Sequence, residues 1–468
     1  MDENLVLDLE NLDRLLEEVN MEARRFLSSL HNRPAAVAPS AKATLELPQS
    51  GLGARRALKL FLERYEQEMG GSSGPRYFGF VVGGATPAAL IGDWLVSTFD
   101  QNLSQQGSSG APGVELETLR MIRQLLRLPE DFSGSFVSGA TMSNFVGLAT
   151  ARQWTALRAG VNVVSDGLYG IKPIQVLSAS PHSSVLKCMS MLGMGRKNWL
   201  KIECLPNRET MNVSSLQSHL EALAGETCIV VASAGTVNTG DYDDIERIGA
   251  LKQKYSFWLH VDGAFGGLVA CSPKLAHLTQ GMELADSIAI DAHKWLNVPY
   301  DSAIQLTRHQ DVQYDVFKNN AAYLDTRRNQ PAFADLGPEN SRRFRALPAW
   351  LTMVAYGRSG YQEIIERNCE LAQVLGGRIE GSDTFKLLAP VRINIVCFTL
   401  KRSGGGPSQE EVRTFLDRVR EDGRTFLTPT LYNGTPGIRA ALSNWRTTTS
   451  DVDMAWSALM EVAQAMSS

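Results

Sequence analysis

FWLHVDG (residues 257–263) and DSIAIDAHKW (286–295) each join a short apolar run to residues that carry chemistry: Asp262 closes the first, and His293 and Lys294 follow the second. Strands apolar at almost every position have no wet face, which is the environment of a parallel sheet covered by helices on both sides. Two similar runs lie upstream, IQVLSAS (174–180) and CIVVASA (228–234). Helical patterns alternate with these runs from about Val114 to Trp295, so this part of the chain reads as a doubly wound α/β domain.

Working outward, Leu and Val recur at helical spacing between Glu and Arg from about Leu5 to Leu30, which predicts one amphipathic helix in need of a partner surface. A link around 34–53 leads to a second helix over about Ala54–Met69, ended by the GGSSGP break at 70–75. Residues 1–75 are therefore expected to form an N-terminal helical arm. RYFGFVVGGATP (76–87) reads as a tight apolar loop, because its glycines do not follow the G-x-G-x-x-G spacing of a dinucleotide fingerprint. The large domain is expected over 76–360. After it, a helix from about Tyr361, the strand RINIVCFTL (392–400), a glycine break at 404–406, a helix from about Glu410 and a last helix from about Asp451 predict a small α+β domain over 361–468.

Composition narrows the function. With 44% apolar and 21% charged residues, the 468-residue chain can bury a large core without metal or disulfides. Its net charge of −4 and dispersed Lys and Arg supply no basic stripe for nucleic acid. The cysteines at 188, 204, 228, 271, 369 and 397 form no C-x-x-C pair, so a reducing compartment is expected. The N-terminus is acidic and amphipathic, and no apolar run is long enough to span a bilayer; the cytoplasm is the expected location, with no membrane partner.

His182, Thr236, Asp262 and Lys294 each fall at or just past the end of an expected parallel strand, the edge at which open α/β sheets bind ligands. SGSFVSGATMSNFVGLATAR (133–152) adds a glycine turn at Gly139 and then a long helix, whose first-turn N–H groups would cradle a phosphate, with the hydroxyls of Thr141 and Ser143 nearby. Taken singly these are ordinary features: a helix cap, a turn histidine, an Asp-Gly turn, a solvated lysine. Together they supply what pyridoxal 5'-phosphate (PLP) needs: an anion cradle, a carboxylate for the pyridine nitrogen, a stacking side chain and a lysine for the aldehyde. Asp262 would keep the pyridine protonated. Lys294 would hold the aldehyde as an imine, and His293 would contact the phosphate or the departing carboxylate. A competing metal site can be drawn from His260, Asp262, Asp291 and His293, but it leaves Lys294 and the cradle unexplained.

These segments also resemble the PLP-dependent group II amino-acid decarboxylases, which include the aromatic-L-amino-acid and glutamate decarboxylases. DSIAIDAHKWLNVPYDSA (286–303) resembles their lysine segment, HVDGAFGG (260–267) their ring-nitrogen aspartate segment, and the stretch from Pro181 to Gly195 their stacking-histidine segment. AGTVNTGDYDDI (234–245) and SRRFRALPAWLTMVAYGRSG (341–360) are similar to two further segments of the family, and the likeness runs from about Gly79 to the last helix.

The resemblance implies PLP fold-type I, the aspartate-aminotransferase-like architecture. That means a mostly parallel seven-stranded sheet, a small C-terminal α+β domain, and an N-terminal arm that wraps the partner of a homodimer with active sites near the subunit interface. It implies decarboxylation of an L-amino acid to an amine and carbon dioxide. Lys294 would be the imine lysine, Asp262 the pyridinium partner and His182 the stacking residue. Thr236 and Ala264 would flank the ring, and Thr141 and Met142 would offer backbone N–H groups to the phosphate. Two departures stand out. Phe333 falls, without gaps, where the aromatic decarboxylases carry a proton-donating loop tyrosine, which leaves Tyr323, His182 or a partner residue for that task and keeps a decarboxylating aldehyde synthase open. Asp291 and Ala292 stand where Asn-Pro is common. Another lyase or aminotransferase of the same fold, and a PLP-binding protein without activity, are the remaining alternatives.

Overall fold

The four apolar runs form the middle of a seven-stranded sheet in the computed structural model, which describes all residues except 104–108, 320–331, 403–404 and 467–468. The strands are β1 (Ser133–Val137), β2 (Val176–Ser178), β3 (Trp199–Lys201), β4 (Cys228–Ser233), β5 (Phe257–Asp262), β6 (Ser287–Ile290) and β7 (Ala303–Thr307). Their order is β1-β7-β6-β5-β4-β2-β3, with β3, β2, β4, β5 and β6 parallel to their neighbours among themselves. Every residue of β4, β5 and β6 is buried, as their unbroken apolar runs require.

β7 is the exception, antiparallel to both β6 and β1. A parallel return needs a crossover, usually helical, on one face of the sheet. Residues 291–302 instead turn straight back beside β6, so the Lys294 loop is held at both ends by the sheet. Because β1 is antiparallel to β7, its C-terminal end lies at the same edge as those of β4, β5 and β6. There it feeds the helix Ala140–Arg158.

A second sheet of four antiparallel strands, ordered β10-β11-β9-β8, is built from β8 (Phe385–Leu387), β9 (Ile395–Leu400), β10 (Thr428–Tyr432) and β11 (Thr435–Ala441). With the helices Gln409–Asp422 and Thr449–Ala465 it encloses a separate core around Phe385, Phe398 and Phe415. Phe78 is buried in that same core, and Ala441 N–H donates to its carbonyl at 2.9 Å, so the 76–81 segment ties the two sheets together. The helical run Ala346–Glu380 is interrupted by non-helical φ/ψ at Gly357, close to the expected boundary at 360 and 361.

The arm differs from the single helix expected over Leu5–Leu30. It consists of Glu3–Glu10 and Leu12–Ser29, broken at Asn11. The Asn11 side chain donates to the Leu7 carbonyl at 2.7 Å and closes the first helix, a local bond that competes with helical continuation. Among the described residues no helix is long and apolar enough to cross a membrane.

Candidate active site

At the C-terminal edge of the large sheet lies a cavity of about 320 Å³ whose wall includes Thr141, His182, Thr236, Asp262, Ala264, His293 and Lys294. Met142 stands apart, packed against Val137, Val146 and Ala303. The strand ends explain the convergence: Asp262 is the last residue of β5, Thr236 follows β4, and His182 caps the helix that follows β2.

Asp262 is buried, and its two oxygens are engaged differently. Oδ1 accepts the Ala264 N–H at 3.2 Å, and Oδ2 accepts the Asn144 side-chain amide at 3.1 Å. Asn144, fully buried on the helix Ala140–Arg158, also donates to Ser184 Oγ at 3.0 Å, while its own oxygen lies 2.8 Å from His260 Nε2. Burial pushes the His260 pKa down to about 4, so the ring is neutral at pH 7. Its Nδ1 lies 2.7 Å from Ser287 Oγ, which in turn accepts the Trp258 indole N–H. His260 is thus a satisfied core residue. Among the described residues no three His, Cys, Asp or Glu side chains come together as a metal site needs.

His182 Nδ1 accepts the Ser184 N–H at 3.3 Å and lies 2.8 Å from Ser184 Oγ, which leaves Nε2 to carry the ring proton. Desolvation lowers the His182 pKa, opposed by Asp262 and reinforced by the charges of Lys294 and Arg439. Thr236 is fixed from behind, donating to Glu209 Oε2 at 2.5 Å and accepting the Asp241 N–H at 2.9 Å.

Lys294 Nζ pairs with Asp291 Oδ2 at 3.2 Å, while Asp291 Oδ1 lies 3.0 Å from His293 Nε2 and accepts the Ala140 N–H at 3.2 Å. Burial alone would raise the Asp291 pKa, but the Lys294 ammonium and His293 hold it below the usual carboxylate range. A small-domain residue completes the wall. Arg439 of β11 is buried, donates to the Val237 carbonyl at 2.8 Å and keeps a buried Nε with no partner.

This donor set fits PLP: a carboxylate, an imidazole and a primary amine converge on one cavity, together with a glycine-capped helix N-terminus and an incompletely satisfied guanidinium. The pyridoxal-dependent decarboxylase conserved domain matches residues 67–401. The chain belongs to this family. It is a PLP-dependent amino-acid carboxy-lyase of fold-type I. The decarboxylase is 25% identical to an aromatic-L-amino-acid decarboxylase of Bacillus atrophaeus, over 97% of this chain and 95% of that one. It is 26% identical to a 4-hydroxyphenylacetaldehyde synthase of Rhodiola rosea, over 84% of this chain and 81% of that one. Its fold matches the crystal structure of Oryza sativa TDC with PLP and tryptamine at a TM-score of 0.89, 23% identity and 98% coverage of both chains.

Three residues in or directly behind this cavity escaped the sequence reading. Asn144 lay unremarked in a helix, Arg439 belongs to a hairpin far along the chain, and Asp291 was seen only as a departure or half of a metal pair. Phe333, weighed as the counterpart of a loop tyrosine, is buried in the core with its ring 4.9 Å from the Arg342 guanidinium, and the cavity wall does not include it. Tyr323 lies outside the described residues. Among nearby aromatic residues, Phe80 lines the cavity while Phe78 is buried in the small-domain core. Trp94 lines a neighbouring cavity of about 400 Å³ that shares His293 and includes Tyr300.

Proposed function

We propose that Lys294 is the residue that binds the PLP aldehyde, with Asp262 on the pyridine nitrogen and His182 stacked on the ring. Thr236 and Ala264 flank the ring, and the first-turn N–H groups of the helix Ala140–Arg158, those of Thr141 and Met142 among them, face the phosphate beside His293. What supports this is the convergence of residues from five separate chain segments on one cavity. When bound, the cofactor supplies an electron sink for the pair left behind as the carboxyl group departs. The protein's part is orientation and charge. Asp262, held by Asn144 and the Ala264 N–H, favours a cation beside it. Arg439 offers its unpartnered Nε to the substrate carboxylate. Lys294 Nζ, 3.2 Å from Asp291 Oδ2, is placed to carry a proton to the product carbon once it is displaced from the aldehyde. His182, neutral near pH 7, serves as a flat ring rather than as an acid.

The substrate we favour is an aromatic L-amino acid, because Phe80 lines the cavity and Tyr300 packs tilted against His293 with ring centroids 4.2 Å apart. The aldehyde synthase relative keeps peroxide and aldehyde among the products to be measured. We further propose a homodimer and a cytoplasmic location, the latter supported by six free cysteines.

The test is Lys294→Ala in the full chain, followed by carbon dioxide release across a panel of amino acids and by the visible absorbance of the lysine-bound cofactor. Both should vanish. A variant that keeps its colour and its turnover overturns the assignment.

A further inference from the structure

We propose that Asp291 and the cofactor phosphate compete for the N-terminus of the helix Ala140–Arg158, so that phosphate binding is coupled to uptake of a proton at the Asp291 carboxyl. This rests on the phosphate placement proposed above. Asp291 Oδ1 accepts the Ala140 N–H at 3.2 Å, at the start of a 19-residue helix whose N-cap, Gly139, brings no side chain. The anion position at this helix end therefore already has a carboxylate on it. Asp291 is 3% exposed, so water does little to screen it from a second anion.

The charged and titratable groups around this carboxylate are few. On its own loop are Lys294 at 3.2 Å and His293 at 3.0 Å. Tyr300 lies behind His293, and His182 across the cavity feels the Asp291 charge. The helix contributes only backbone dipoles at the contact. Lys294 balances Asp291 in the free chain, but that balance weakens once the lysine is committed to the cofactor. A phosphate dianion beside an ionised Asp291 is then opposed by one full charge. A proton from solvent resolves the conflict. Added to the carboxyl, it turns Asp291 from an acceptor of the Ala140 N–H into an O–H donor toward a phosphate oxygen, and the Ala140 N–H is freed for the phosphate. His293 Nδ1 accepts the Ser302 N–H at 3.2 Å, so Nε2 carries its own proton and remains a donor to the carboxyl.

The experiment uses the full-length chain freed of cofactor and two probes that both engage Lys294: PLP, and pyridoxal, which lacks the phosphate. Protonation of the pyridine beside Asp262 is common to both, so the difference between them reports the phosphate alone. Calorimetric titration at pH 7.0 and 8.5, where the phosphate is already a dianion, should show the wild-type preference for PLP over pyridoxal falling about tenfold or more as pH rises, as expected for one linked proton. Heats in two buffers of different ionisation enthalpy should report about one more proton taken up with PLP than with pyridoxal. In Asp291→Asn that preference should be about tenfold greater than in the wild type at pH 8.5 and flat with pH. A smaller preference in a folded Asp291→Asn chain, or no extra proton taken up with PLP by the wild type, overturns the inference. If the variant does not fold, the wild-type difference in proton count decides alone. Should the wild type bind neither probe and develop no visible band with PLP, the cofactor placement itself has failed. A visible band without the extra proton sinks this inference only.

Discussion

Asn144 joins the two sides of the site through one amide. It donates to Asp262 and Ser184 and lies within hydrogen-bond distance of His260, and all four side chains are buried. Replacing it with Ala strands several polar groups at once, each costing on the order of 1–3 kcal/mol when left unpaired inside a protein. We expect Asn144→Ala to lower stability by about 3 kcal/mol, read as a shift in urea midpoint. Asp291 makes a different prediction, set by charge. Its pKa in the folded chain lies below 3.8, so its ionised form contributes stability that is complete above that value and lost as pH falls through the lower, folded value. The stability gap between wild type and Asp291→Asn, followed by urea titration from pH 6 to pH 3, should be constant at first and then close. A gap that widens on acidification would contradict the ion pairing. That Lys294, Asp262 and His182 meet at one cavity was legible because a chemical residue at the end of an apolar run is a local pattern. Asn144 and Arg439 were not, since their roles come from the far side of a helix and from another domain.

At the scale of elements, the glycines of RYFGFVVGGATP acquire a reason that spacing could not give. A Cβ on Gly83 would come within 1.7 Å of the Lys294 carbonyl oxygen and 2.3 Å of Asn297 Nδ2, which itself donates to the Gly83 carbonyl at 2.9 Å. The segment therefore packs backbone to backbone against the lysine loop. Gly83→Ala cannot be absorbed by rotating a side chain, because the nearest atom is main chain. It should move Lys294 and weaken PLP retention at least tenfold, measured by absorbance after dialysis; full retention would mean the loop yields more readily than its sheet anchors suggest. Other elements show the limits of pattern. Asn433 and Gly434 join β10 to β11 with positive φ at both residues, a strong hairpin signal that the sequence reading passed over because the small domain was read for its helices and one long strand. β7 went unseen because its five residues follow a loop whose chemistry drew the attention, and its antiparallel direction depends on pairing rather than composition.

For the molecule as a whole, the question is what covers the arm. The helix Leu12–Ser29 has no buried residue, yet it presents Leu12, Leu16 and Val19 along one face, each between 44% and 60% exposed. An isolated helix of this length is marginal in water, and its amphipathic face requires a surface. Its own chain supplies part of one. Arg55 pairs with Glu18, and the Asp8 side chain caps the helix Ala54–Tyr65 at the Ala54 N–H. Farther along, Phe26 and Leu27 line the cavity that reaches Tyr300 and His293. In the proposed homodimer, a second copy of the chain on the open face would finish the burial and close the approach to the active site together, tying assembly to activity. Leu16→Glu combined with Val19→Glu places two charges on that face without touching the catalytic cavity. Sedimentation of the wild type should give twice the 51.3 kDa chain mass, and the double variant should sediment as a single chain with carbon dioxide release reduced at least tenfold. A double variant that remains paired and fully active would show that the arm's open face is not what joins the subunits.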